Sequence, residues 1–164
     1  MKPFLSALSR KSASRELEES MVEWLHDLDA WAVALTITFK RHDHHGRPVS
    51  QQIVDQTARH FVNTLNQVCF GRRKARKGFT VGIAVSYGWG SYEDHPHLHI
   101  SLASPKHISV EQFYDEINKA LTACNWIDEH RKIERYRDVG WTRYLVDHGT
   151  DQVLLDLVRR SHPA

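Results

Sequence analysis

The sequence lacks paired or clustered cysteines, long apolar runs and a large net charge, each of which marks a broad class of protein. Its two cysteines, Cys69 and Cys124, form neither a disulfide framework nor a metal-ligand spacing, and both lie in apolar helical contexts. No apolar run approaches the length that crosses a bilayer, and the N-terminus has no continuous apolar stretch of the kind a signal peptide needs. The formal net charge is only +2, so the molecule as a whole is not strongly basic. These absences predict a cytoplasmic protein with free, buried thiols.

The 164 residues suit one domain with a substantial core. Apolar residues at helical spacing alternate with short β-branched runs, and the order of predicted elements is α-β-α-β-β-α-β-α. This order predicts an α+β fold in which a sheet packs on helices. We expect a flexible N-terminal arm at 1–14 and a single domain at 15–164. The predicted helices are 15–29, 50–68, one that begins at Ser109 with a capping box, and an interrupted segment at 141–160; the predicted strands are 31–39, 79–88, 95–103 and 131–138.

Three histidines at alternate positions stand out in "YEDHPHLHISL", the stretch from Tyr92 to Leu102. Side chains alternate between the faces of a strand, so His97 and His99 share one face. Two imidazoles about 7 Å apart along a strand can converge on one cation. A solvent-facing strand that happens to carry histidines is the alternative, because H-x-H alone is a weak signal.

The surrounding sequence excludes two other chemistries that use such histidines. A cupin-like barrel needs a glutamate soon after the pair and an all-β chain, whereas "ISLASPK" follows here and helices flank it. Phosphoesterases with paired H-x-S/T motifs place them far apart, whereas His99 and His107 are only eight residues apart.

Three segments in the same order resemble the motifs of the HUH endonucleases, and most closely those of rolling-circle replication initiators. "HPHLHISL" resembles the His-hydrophobic-His motif, "ALTITF" (Ala34 to Phe39) resembles the upstream apolar strand, and "TRYLVDHGTD" (Thr142 to Asp151) resembles the tyrosine motif. The resemblance implies a central antiparallel sheet of about five strands, of the RRM or ferredoxin-like kind, flanked by helices. It also implies cleavage of single-stranded DNA through a 5′-phosphotyrosine intermediate with Mn²⁺ or Mg²⁺.

By motif match, the resemblance makes His97 and His99 metal ligands and Tyr144 the nucleophile. A third ligand is expected upstream, where Glu93 is the first candidate and Asp94 and His95 are the others. The family's motif lysine falls at Asp147, with His148 as the nearest cationic substitute. Tyr136, in a predicted strand, is the rival nucleophile.

The implied partner is single-stranded DNA, at an origin or a hairpin. Since no P-loop occurs in the sequence, a helicase would be a separate chain. The basic stretch "RRKARK" is the predicted DNA-binding loop, and its alternative is a solvated surface turn; its cations are Arg72, Arg73, Lys74, Arg76 and Lys77. Alternative functions are a HUH-type transposase or relaxase and, in a different class, an RRM-like nucleic-acid-binding module without catalysis.

Overall fold

A computed structural model describes residues 3–89, 96–147 and 149–162. Five α-helices, one short 3-10 helix (Thr150–Gln152) and four strands occur within these ranges, and they follow the predicted order except for the additional short helix α3. The helices are α1 (Pro3–Leu28), α2 (Gln51–Phe70), α3 (Arg72–Arg76), α4 (Val110–Thr122) and α5 (Val139–Val146), and the strands are β1 (Trp31–Phe39), β2 (Gly82–Trp89), β3 (Pro96–Ala103) and β4 (Ile127–Arg135). No helix in these ranges is both long enough and apolar enough to cross a membrane.

The four strands form one antiparallel sheet in the order β2-β3-β1-β4. The predicted α+β fold, with an antiparallel sheet flanked by helices, is therefore confirmed. The number of about five strands is wrong for the described residues, which hold four. β3 lies between β2 and β1, so the histidine strand is hydrogen-bonded along both of its edges.

The position beside β2, where a fifth strand would lie, is occupied by the irregular segment 153–162. Its backbone pairs with β2 through isolated bridges, with Leu154 N donating to Val85 O at 2.9 Å and Arg159 N donating to Ile83 O at 2.8 Å. The predicted helical segment, interrupted near Gly149, continues after that break only as the short 3-10 helix Thr150–Gln152, and the prediction is wrong from there to residue 160. Gly149 has a φ of 111°, which turns the chain, and the open edge of β2 then supplies the hydrogen bonds that a helix would otherwise make.

One face of the sheet is apolar and forms the main core against α2 and α4. Alternate residues of β1 and β3 point into this core, which also receives large rings from the helices; the fully buried members include Phe39, Phe61, Phe113, Leu35, Ile37, Leu98 and Ile100. α2 begins at the predicted N-cap Ser50, and α4 begins at the capping box of Ser109 with Gln112. Cys69 and Cys124 are both buried free thiols, as predicted.

The other face is more polar and is partly covered by α1 and α5. A smaller apolar cluster, which includes Leu25 of α1 and Leu145 of α5, packs over Ala84 of β2. A bidentate ion pair joins the two helices, since the Arg143 guanidinium donates to both carboxylate oxygens of Glu19 at 2.9 and 3.0 Å. The Arg143 charge lowers the pKa of Glu19 below its ordinary value. α5 is therefore held over the sheet on its β2 side.

Several elements differ in extent or type from the sequence prediction. α1 begins at Pro3 instead of Arg15, because proline is tolerated in a first helical turn and no helix-breaking residue follows it before Leu28. Residues 3–14 of the predicted arm are thus part of α1. β4 begins at Ile127, and the basic stretch predicted as a loop forms the short helix α3.

Candidate active site

His97 and His99 lie on the polar face of the sheet, each between a residue of β2 and a residue of β1. The cross-strand partners of His97 are Gly88 and Thr38, and those of His99 are Ser86 and Thr36. The two rings are 4.8 Å apart, centroid to centroid, at an angle of 75°. His99 is only 3% exposed. Strand parity therefore placed both imidazoles correctly on one face.

Gly88 gives both imidazole rings the room to come together. A β-carbon at this position would lie 2.8 Å from Nε2 of His99 and closer still to Nε2 of His97. Real β-carbons essentially never approach other atoms this closely, so any other residue at this position would force at least one of the two rings to move. The two Nε2 atoms therefore converge over one point of β2, which is the arrangement that two ligands of a single cation require.

Thr36 contacts the other nitrogen of the buried histidine. Its Oγ1 is 3.2 Å from His99 Nδ1. In the tautomer with Nδ1–H donating to this hydroxyl, Nε2 carries the lone pair that a metal needs. Thr36 is thus placed to orient His99. The candidate ligand nitrogens face Gly88 on β2, and the hydroxyl that orients His99 comes from β1.

Tyr144 lies directly over the histidines, on α5. Its ring is 4.6 Å from that of His99 and 5.7 Å from that of Trp141, which itself packs edge-on against His99 at 5.8 Å. Tyr144 is 41% exposed. Asp138 caps the N-terminus of α5 by accepting a hydrogen bond from Gly140 N at 2.8 Å. The helix thereby presents the predicted nucleophile to the predicted ligands.

Tyr136, the rival nucleophile, is held in a separate network. Its hydroxyl is 2.9 Å from His26 Nδ1 and 2.7 Å from Thr142 Oγ1, linking α1 to α5. Burial raises the pKa of this phenol, which makes its anion harder to form. Its backbone N donates to Ala32 O, so it lies about 13 Å along β1 from Thr36. The geometry therefore favours Tyr144 as the group beside the histidines.

The histidines and Tyr144 share a cleft of about 720 Å³ with several charged side chains. Three cations and two carboxylates line it; the cations are Lys132, Arg135 and Arg137, the carboxylates are Glu134 and Asp138, and Lys132 pairs with Glu134 at 3.1 Å. Thr38 and Trp141 also line the cleft. A cationic cleft with an aromatic wall is suited to a phosphate-bearing strand.

Several predicted site residues fall elsewhere. Glu93, with its alternatives Asp94 and His95, and also His148, lie outside the described residues. Within residues 3–89, 96–147 and 149–162, no group of three His, Cys, Asp or Glu side chains is close enough together to hold a metal ion. Asp147 ends α5 as an exposed residue whose charge acts on nearby Arg143. The predicted DNA-binding cations of the 72–77 stretch lie at the start of β2, about 20 Å along that strand from Gly88.

Sequence reasoning missed the residues that surround the histidine pair. Thr36 and Thr38 alternate with buried Leu35 and Ile37, so the polar alternation of "LTITF" was the signal. Gly88 and the cations of β4 had no separate signal, because their role depends on cross-strand register.

No family model matches the chain, and comparison with curated proteins and with solved structures found no significant similarity. The site must therefore be interpreted from its own geometry.

Proposed function

We propose that the protein is a metal-dependent endonuclease and strand transferase that acts on single-stranded DNA through a tyrosine nucleophile, as a HUH-type replication initiator does. The observation that carries the proposal is the meeting of Tyr144, His97 and His99 in one cleft. These residues come from two distant segments of the chain, and each segment carries its own sequence motif. Ring contact between Tyr144 and His99 at 4.6 Å supports the proposal, because one phosphate could then meet both the proposed nucleophile and the proposed ligands.

The donor set fits Mn²⁺ or Mg²⁺ in part. Two imidazole nitrogens converge over Gly88, and a carboxylate from the segment that holds Glu93 and Asp94 would complete a mixed set of the kind that suits Mn²⁺. When bound, such an ion withdraws charge from the scissile phosphate and orients it for in-line attack. The remaining chemistry belongs to the chain's own side chains.

In the proposed reaction, the Tyr144 hydroxyl oxygen attacks the phosphorus of a phosphodiester. The bond to the 3′ oxygen of the neighbouring nucleotide breaks, the phenolic proton is lost, and the 3′ oxygen leaves with a proton as a free 3′-OH. The 5′ phosphate remains on the tyrosine as a diester, so attack by another 3′-OH reverses the step and joins strands. A phenol is a weak nucleophile at neutral pH, so its orientation beside the phosphate is decisive.

Three side chains of the cleft are suited to hold the strand during this exchange. Lys132, Arg135 and Arg137 lie along β4 and just beyond it, where the sheet is exposed. Their charges would contact phosphates on either side of the scissile bond, while Trp141 and Tyr144 offer ring faces to bases. This cationic edge is separate from the basic α3 that the sequence pointed to.

The direct test is covalent capture of DNA. The protein is incubated with single-stranded oligonucleotides from candidate origins and Mn²⁺, then denatured in SDS. We expect a protein–DNA band that resists SDS, is absent with EDTA, and carries phosphotyrosine at residue 144. Binding without an adduct on any such oligonucleotide would instead support the non-catalytic nucleic-acid-binding module.

Thr36→Val is expected to weaken Mn²⁺ binding by about tenfold, because His99 loses the hydroxyl that holds Nδ1–H and presents Nε2. Isothermal titration measures the affinity, and ¹⁵N NMR of the metal-free protein reports which nitrogen of His99 carries the proton. Thr36→Ser keeps the hydroxyl and should behave like the wild type. Thr122→Val removes a hydroxyl that donates to Asn118 O on distant α4 and serves as the matched control. An unchanged tautomer and affinity in Thr36→Val would rule out this role for Thr36.

A further inference from the structure

A second concave surface lies at the opposite end of the sheet from the histidines. It has a volume of about 390 Å³ and is lined by three arginines and three side-chain amides, namely Arg72, Arg76, Arg159, Asn63, Asn66 and Gln67. We call it the arginine pocket. No carboxylate of the described part of the chain lines it. Among the described residues, none of the three arginines forms an ion pair.

The fold brings together arginines that are far apart in the sequence. Arg72 and Arg76 lie one turn apart on α3, directly after α2. Arg159 arrives from the C-terminal segment, which reciprocal hydrogen bonds with Ile83, both at 2.8 Å, fix at the start of β2. The ring of His162 stacks on Phe79 at 4.2 Å and holds the end of this segment in place. The pocket therefore has two separate and anchored sides.

The charges in this pocket favour an anion. Three guanidinium groups around one cavity repel one another, and no described acidic side chain offsets them. Guanidinium groups present paired N–H donors that match phosphate oxygens. Asn66 is buried, and its Oδ1 already accepts from Val81 N at 2.9 Å, so its NH₂ group is what it can offer a ligand. The lining thus combines positive charge with hydrogen-bond donors.

We propose that the arginine pocket binds a backbone phosphate of the DNA on which the histidine site acts. This inference rests on the proposed function for the identity of the ligand as DNA. Lys74 and Lys77 extend the positive charge of α3 beyond the pocket, which suits a polymer better than one small anion. The pocket lies about 20 Å along β2 from Gly88, a span of about six base pairs of duplex. A duplex stem beside the cleaved strand would bridge that distance.

The test measures DNA binding under conditions in which the proposed cleavage cannot occur. Arg159→Gln, Arg72→Gln and Arg73→Gln are each made in Tyr144→Phe protein and titrated, in EDTA, against a fluorescein-labelled DNA hairpin with single-stranded flanks. Fluorescence anisotropy gives the affinity at several salt concentrations. Arg73 is the matched control, because it lies on the same helix with the same charge but does not line the pocket.

We expect Arg159→Gln and Arg72→Gln each to weaken binding by about fivefold to tenfold and to lower the salt-dependence slope by about 1. Arg73→Gln should change the affinity by less than about twofold. Circular dichroism checks the fold. We expect it to be unchanged, because the backbone hydrogen bonds between residue 159 and Ile83 do not involve the arginine side chain. If both pocket variants match Arg73→Gln, the proposal is wrong.

A second arm distinguishes a DNA phosphate from a free one. Inorganic phosphate is titrated into the protein, and ¹⁵N NMR follows the Nε–H signals of the arginines. Shifts at Arg72 and Arg159, without any loss of DNA affinity in their variants, would show a free phosphate site and overturn the DNA assignment. Because no step here requires cleavage, absence of a covalent adduct would count against the proposed function and leave this result standing.

Discussion

Tyr144→Phe is expected to form no covalent DNA adduct, with a rate below about one-thousandth of the wild-type rate, while still binding DNA and metal. Removal of a nucleophile has effects of at least this size in enzymes that form covalent intermediates. The phenylalanine ring keeps the contact with His99 and Trp141, so the site should retain its shape. Denaturing gels of protein mixed with labelled oligonucleotide and Mn²⁺ measure the adduct.

Tyr136→Phe is the control for this experiment. It removes the hydroxyl that contacts His26 and Thr142 but leaves Tyr144 and both histidines in place. We expect its adduct yield to stay within a few-fold of the wild-type yield, with some loss of stability because α1 and α5 lose a shared hydrogen bond. An adduct in Tyr144→Phe that maps to Tyr136 by mass spectrometry would show that the nucleophile was misassigned.

Gly88→Ala is expected to lower Mn²⁺ affinity by at least about 100-fold and to abolish the adduct. The added β-carbon would overlap the His97 ring and lie 2.8 Å from Nε2 of His99. His99 is buried, whereas His97 is half-buried at the edge of the cleft, so His97 is the ring that should turn away. The protein then keeps its fold but loses the convergence of its two nitrogens. Isothermal titration with Mn²⁺ and the covalent-capture assay measure the two effects.

Ser86→Ala is the matched substitution for Gly88→Ala. Ser86 lies two residues earlier on the same face of β2, opposite His99, and is fully buried. Replacing it with alanine adds no atom near Nε2 of either ring, so Mn²⁺ affinity should stay within about twofold of the wild-type value. Equal losses in both variants would mean that any change in β2 disturbs the site, and that the space over Gly88 has no special role.

Short-range patterns predicted much of this fold. β1 has the predicted bounds, and Ser50 and Ser109 cap the helices as their spacing indicated. Such features depend on local preferences, which a single sequence displays. The path of residues 153–162 was not predictable in this way. It depends on the open edge of β2, which is distant in sequence.

The candidate site, too, could be predicted from the sequence only where it depends on local pattern. His97 and His99 could be placed on one face from strand parity, and Tyr144 from the resemblance of its motif. Gly88, Thr36 and Lys132 could not, because their relation to the histidines depends on the register of three strand pairs. Arg159 reaches Arg72 only through pairing of the C-terminal segment with β2. Charge clusters built by tertiary structure leave no trace in local sequence.

Because β3 is central in the sheet, the two supports of the site, β3 and α5, differ in the free-energy cost of local opening. The backbone of His97 and His99 is paired with strands on both sides, and opening it would disrupt the sheet as a whole. α5 has only eight residues, and the ion pair that fastens it to α1 is about half exposed on each side. The support of the tyrosine can therefore loosen at a much smaller free-energy cost than the support of the histidines. In the proposed reaction one phosphate passes between two strand ends. If β3 stays fixed while α5 moves, the strand ends can exchange while the phosphate remains bound.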